Sequence, residues 1–218
     1  MTQKKPPTRD VVGIVDSMRA RRFAARLGSG TLDVFEWRAD CLPGVATLPA
    51  AEVPWMLTVR HPAEGGAGNL SAPARESLFL RLLPGAAYVD IELRSMKTMR
   101  RVLAEAASRE IAVIASFHDF RTTPSSAKLR EAAARAADSG AQIFKVATLT
   151  KTPHDIIRLL ELFSGSSLPL AVMGMGPLGR SSRLLFAECG SALNYGWLHR
   201  PNVPGQWSAL ELKKMLSR

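Results

Sequence analysis

In the stretch Ile143-Phe144-Lys145-Val146-Ala147-Thr148 an ammonium group interrupts a run that is otherwise apolar or β-branched. A buried charge is costly unless it is paired or neutralised. Desolvation and the cations expected nearby, His118, Arg60 and Arg183, would favour the neutral amine, the form that attacks a carbonyl to give an imine. The bland alternative is a lysine that pairs with Glu92 or runs its stem out to solvent. His118, in IASFHDF, supplies an imidazole able to remove a proton and return it, as an elimination beside an imine requires. Glu64 is placed to accept a hydrogen bond from that ring and so fix its tautomer. His61, His154 and His199 lack such support and read as surface or loop residues. A further cluster closes the segment LDVFEWRAD, where Glu36, Arg38 and Asp40 stand two apart. On a β-strand all three point to one side; the alternative is a solvated surface strand.

These residues need elements to carry them. Apolar runs rich in β-branched and aromatic residues recur at 11–16, 32–38, 55–60, 88–93, 111–117, 143–148, 170–175 and 192–198. Between most of them lie segments of helical periodicity, such as SMKTMRRVLAEAASR and SSAKLREAAARAADSG, the second ending in a helix-stopping glycine. Eight alternations of strand and helix predict a single-domain parallel (β/α)₈ barrel over residues 11–218, preceded by a flexible extension over 1–10. The segment 41–54 carries prolines and a glycine, so the second crossover is expected to be degenerate. An open doubly wound sheet is the competing architecture, but VVGIVDSMRA lacks the glycine-rich phosphate loop that follows the first strand of such folds.

A barrel places its active site at the C-terminal ends of its strands. Read in order, those ends offer Glu36 and Arg38 on the second strand, Arg60 on the third with Glu64 in the loop behind it, and Asp90 and Glu92 on the fourth. His118 follows the fifth strand, Lys145 lies within the sixth, and Arg183 stands just beyond the seventh. Each alone has an innocent reading as a surface ion pair or a satisfied histidine; converging on one rim, they read as a site.

Composition narrows the remaining classes. The chain has 218 residues, 46% hydrophobic, enough for a full core in one domain. Its net charge of +10 is scattered over segments such as MRARRFAARLG, without the aromatic interleaving of a nucleic-acid platform, and fits attraction of a small anionic substrate better. There is no signal-peptide pattern and no apolar run of membrane-spanning length, so a cytoplasmic protein with no membrane partner is expected. Cys41 and Cys189 form neither a disulfide framework nor a metal site, no other metal-ligand cluster emerges, and GMGPLG at 174–179 lacks the ending of a P-loop.

With these residues assembled, the chain resembles the type I 3-dehydroquinate dehydratases from about residue 11 to the end. The matching segments are FEWRAD, TVRHPAEGG, YVDIEL, ASFHDF, QIFKVAT, MGMGPLGRSSR, CGS and PGQ. The resemblance implies a lyase of the shikimate pathway that converts 3-dehydroquinate to 3-dehydroshikimate through an imine, with no cofactor or metal. It implies that Lys145 forms the Schiff base at C3, that His118 takes the C2 proton and helps expel the C1 hydroxyl, and that Glu64 orients His118. Glu36 and Arg38 would bind ring hydroxyls, Arg60 and Arg183 the hydroxyl and carboxylate ends of the substrate, and Gln206 would close over it from a lid at 199–207. The family's usual serine four residues before that glutamine is replaced by Asn202, expected to reach the substrate carboxylate on its longer arm. Homodimers are common in the family. A Schiff-base barrel aldolase, or a catalytically silent barrel serving as a binding module, are the competing functions; the first leaves SSR and PGQ without an account, and the presence of both Lys145 and His118 speaks against the second.

Overall fold

The structure, a computed structural model, describes residues 8–217; residues 1–7 of the expected extension lie outside them. The strands are β1 (Asp10–Val15), β2 (Val34–Arg38), β3 (Trp55–Thr58), β4 (Tyr88–Glu92), β5 (Ala112–Asp119), β6 (Ile143–Leu149), β7 (Leu170–Met175) and β8 (Leu193–Trp197). The helices are α1 (Met18–Ala24), α2 (Ala72–Leu82), α3 (Arg100–Ser108), α4 (Ser126–Asp138), α5 (Pro153–Leu160), α6 (Gly179–Glu188) and α7 (Ala209–Leu216). Parallel ladders join β8 to β1 and then run in chain order to β7. That sequential order is a barrel's; a doubly wound sheet would reverse at a switch point.

Between β7 and β8 no regular ladder forms, and side chains close the gap. Ala192 N–H donates to Leu170 O at 2.6 Å, and Val172 N–H donates to the Ser191 hydroxyl at 3.1 Å. Higher up, the Arg183 guanidinium reaches from α6 to Gly174 O (3.2 Å) and Tyr195 O (3.0 Å), tying the C-terminal ends of the two strands together.

The period of two sorts the strands into an inner and an outer set. Val12, Val34, Met56, Ile114, Ile143, Ala171 and Leu193 fill the lower barrel, while Phe35, Trp37, Leu57, Val89, Phe144 and Val172 face the helices. The helices answer with small residues: α4 buries Leu129, Ala132, Ala133 and Ala136, a stripe of helical spacing begun by the Ser125 cap. The second crossover has no helix. Leu42, Leu48 and Val53 cover the outer face of β2 and β3 instead, beside Trp37 and Trp55, which meet edge to face at 5.5 Å. Trp55 Nε1 donates to Pro49 O at 2.7 Å and fastens that crossover.

Several expected boundaries move. β2 ends at Arg38 and β3 at Thr58, so Asp40 and Arg60 lie just beyond the strands expected to carry them. His118, expected after the fifth strand, lies within β5, which runs on to Asp119. The helix expected from Ser95 begins only at Arg100, because Ser95 is held in a 3₁₀ turn by hydrogen bonds to Arg75 (3.0 Å) and Glu92 (3.1 Å). Among the described residues no helix is long and apolar enough to cross a membrane.

The seam generates a test. Ser191→Ala leaves the buried Val172 N–H without a partner, a loss of about 1–3 kcal/mol. Thermal unfolding should show a midpoint lowered by roughly 2–4 °C per kcal/mol for a chain of this size. An unchanged midpoint would mean that the hydroxyl does not hold the seam.

Candidate active site

The strand register sets the site's levels. Ser116 pairs with Lys145 and Glu92 with Ser116, so these three share one layer, and His118 stands one inward position higher on β5. From the loop after β3, Arg60 enters the same layer. Its guanidinium grips Asp90 with two hydrogen bonds (3.0 and 2.8 Å), the fork geometry that suits a carboxylate. It also donates to Glu92 (3.1 Å) and Ser116 (2.7 Å).

Lys145 Nζ donates to Asp90 Oδ2 at 2.8 Å, lies 3.6 Å from Glu36, and sits 3.9 Å above the centre of the Tyr195 ring. Its nearest charged neighbours are thus carboxylates, and its partner is Asp90 rather than Glu92. Glu92 is occupied from below by Arg75, a helix residue buried to 1% exposure that also donates twice to Val59 O. Three acids, Glu36, Asp90 and Glu92, face three bases, Arg60, Arg75 and Lys145, all buried and linked through ion pairs. Burial alone would raise the Asp90 carboxyl, yet Arg60 and Lys145 hold it well below the usual carboxylate range.

Above this layer His118 and Glu64 form a pair. Glu64 Oε2 accepts the His118 backbone N–H at 3.0 Å and lies 3.0 Å from ring Nδ1. Burial, then repulsion from Glu92, pushes Glu64 up to about 7. Burial, then Arg60 and Lys145, pushes His118 well below its ordinary value. Phe120 lies nearly parallel to the imidazole at 6.4 Å and covers the pair. Gly65, at φ +84°, makes room for it, since a Cβ there would come within 2.8 Å of the Phe120 ring.

One cavity of about 430 Å³ is lined by Glu36, Arg38, Arg60, Glu64, His118, Lys145, Arg183, Asn202 and Gln206, with Ile14, Ala147, Met173 and Met175 as an apolar wall. All nine site residues expected from the sequence therefore meet in one place, but not with equal freedom. Arg38 is clamped by Asp40 through two hydrogen bonds (3.0 and 2.8 Å) and also donates to Gly65 O. Arg183 donates only to backbone carbonyls among the described residues, and burial lowers it to about 10. Asn202 donates its side-chain amide to Asp16, and its backbone N–H to Gln206 Oε1 at 2.9 Å.

Sequence reasoning put Asp90 and Glu92 on the rim without giving them a task. It passed over Tyr195, Ser116 and Arg75. The first two stand at inward positions of β8 and β5, a signal the alternation carries. Arg75 sits in a helix, where an arginine looks like any surface residue. No group of three or more His, Cys, Asp or Glu side chains placed to hold a metal ion occurs among the described residues.

A parallel barrel with a lysine, a histidine and balanced buried charges at the C-terminal ends of its strands defines a barrel enzyme. Residues 14–218 match the family model for type I 3-dehydroquinase. The chain is 35% identical over 202 residues to the 3-dehydroquinate dehydratase of Methanocella arvoryzae, covering 90% of each, and 31% identical to that of Thermococcus gammatolerans, covering 94% and 97%. It superimposes on the type I 3-dehydroquinate dehydratase of Clostridium difficile, solved with covalent modified comenic acid, with TM-score 0.83 and 25% identity over 98% and 92% of the two chains. The chain belongs to the type I 3-dehydroquinase family.

The His118 and Glu64 pair has a titration to measure. Protonated Glu64 donates to Nδ1 and leaves the ring hydrogen on Nε2; ionised Glu64 accepts from Nδ1–H and frees the Nε2 lone pair. As pH rises through about 7, the ¹⁵N signal of Nε2 should turn from protonated to unprotonated character, a step belonging to the pair. Glu64→Gln, which cannot ionise, should abolish the step. Its persistence in that variant would show that another group titrates.

Proposed function

We propose that this chain dehydrates 3-dehydroquinate to 3-dehydroshikimate through a covalent imine on Lys145. The observation that carries the reading is the shared cavity of Lys145 and the His118–Glu64 pair, on adjacent levels of neighbouring strands. The Lys145 amine adds to the C3 ketone and releases water. The iminium then acts as an electron sink for the pair left at C2 when His118 takes the proton there. Expulsion of the C1 hydroxyl, assisted by the proton His118 now carries, gives the second water and the conjugated product. Hydrolysis of the imine regenerates the amine, so atoms and electrons balance with no further cofactor.

Arg183 is the cation left for the substrate carboxylate, because no carboxylate among the described residues pairs with it. Glu36 accepts from Thr58 at 2.8 Å and keeps its second oxygen for a ring hydroxyl. Arg60 acts chiefly by holding Asp90, and Arg38, itself held by Asp40, lines the hydroxyl side of the cavity. The covalent comenic acid on the Clostridium difficile relative lends support to covalent chemistry on this fold. A cytoplasmic homodimer belongs to this reading through the family resemblance.

Borohydride added during turnover should inactivate the enzyme and leave a reduced ligand on the peptide bearing Lys145, while the ultraviolet absorbance of the enone product reports turnover. His118→Ala should lower kcat by at least about 10² and still permit the adduct, separating imine formation from proton transfer. An adduct on another lysine, or an active enzyme with none, would remove the covalent mechanism; normal turnover by His118→Ala would remove the histidine's role.

A further inference from the structure

We infer that Asp16 is a positioning residue for the lid: it anchors Asn202, and through Asn202 it sets the direction in which Gln206 presents its amide to the substrate. The inference rests on the dehydratase reading. Asp16 is the first residue beyond β1, on the C-terminal rim, and its Oδ2 accepts the Asn202 side-chain amide. The Asn202 backbone N–H donates to Gln206 Oε1. Only the oxygen of a glutamine amide can accept, so this bond fixes which end of Gln206 is free. Its Nε2, without a hydrogen bond among the described residues, is the donor left at the cavity wall, where Gln206 is 6% exposed.

The rest of the segment is held by other means. Gly176 N–H donates to Pro204 O at 2.9 Å, and Gly205 packs backbone to backbone on the turn after β7, where a Cβ would lie 2.4 Å from Gly176 O. Trp207 Nε1 donates to Arg180 O at 2.9 Å. Those contacts secure the C-terminal half of the lid to β7 and α6. The N-terminal half reaches β1 through Asp16 alone among its side-chain hydrogen bonds to other elements in the described residues. A serine at position 202 has a shorter arm and no amide, so the departure from the family's serine and the carboxylate at the end of β1 make sense together. Asn202 on this account serves the substrate through Gln206 rather than by touching it.

The test is steady-state kinetics of wild type, Asp16→Ala, Asp16→Asn, Gln206→Ala and the double variant Asp16→Ala/Gln206→Ala, together with hydrogen exchange of the peptide spanning 198–207. Asp16→Ala should raise KM roughly five- to tenfold, within the range for one lost hydrogen bond, with kcat kept within about twofold. Asp16→Asn retains an acceptor oxygen and should restore KM. The double variant should be no worse than Gln206→Ala, because both act through one amide, and exchange of the lid should quicken in Asp16→Ala. An unchanged KM in Asp16→Ala, or a double variant whose losses multiply, would overturn the inference. If wild type fails to turn over 3-dehydroquinate, the dehydratase reading falls; the anchor is then judged by exchange alone, supported if Asp16→Ala quickens it and overturned if it does not.

Discussion

The Asp90 carboxylate, gripped by Arg60 on one side and bonded to Lys145 on the other, is the interaction on which the site depends. An amine buried to this degree must have a compensating charge, and a buried carboxylate must have more than one donor. The network meets both demands by balancing Glu36, Asp90 and Glu92 against Arg60, Arg75 and Lys145. On the imine reading that balance persists during the reaction. A protonated imine carries the same charge as the ammonium it replaces and at almost the same place, so the surrounding groups need not reorganise.

Barrel geometry makes such a cluster affordable. Parallel strands bring every second residue inward, so alternate positions of β2, β4, β5 and β6 deliver Glu36, Asp90, Glu92, Ser116, His118 and Lys145 to successive inward positions of the upper barrel. The apolar layers below seal them from water. Arg183 has two places in the structure: the group that ties β7 to β8 also lines the cavity, with no carboxylate partner among the described residues. A change at Arg183 therefore acts on the closure of the barrel as well as on any anion bound there.

Much of this was legible in the sequence because the strand period is short and strict. Once FEWRAD, YVDIEL and IFKVAT read as strands, the inward side of each followed, and the charged residues on that side could be counted. The missing second-crossover helix was legible too, from the prolines in 41–54. Partner choice was not. Lys145 was expected among cations or beside Glu92, yet pairs with Asp90, because Arg75 approaches Glu92 from α2 and helix residues reveal no such reach in one sequence. The late start of α3 has the same origin, since Ser95 is recruited into the network by Arg75 of α2 together with the nearby Glu92. The bond between Asn202 and Asp16 was not legible either, because nothing local in the sequence signals that the end of β1 meets the segment 199–207.

The balance of buried charge is tested most directly by a double-mutant cycle on Asp90 and Lys145, using Asp90→Asn, Lys145→Met and the pair together, with stability read from chemical denaturation. Each single variant should lose about 3–5 kcal/mol, because each leaves the buried network with one charge uncompensated. The double variant removes one charge of each sign and should lose less than the sum by roughly 2–3 kcal/mol. Losses that add to within about 0.5 kcal/mol would contradict the account, for they would mean that Asp90 and Lys145 do not stabilise one another.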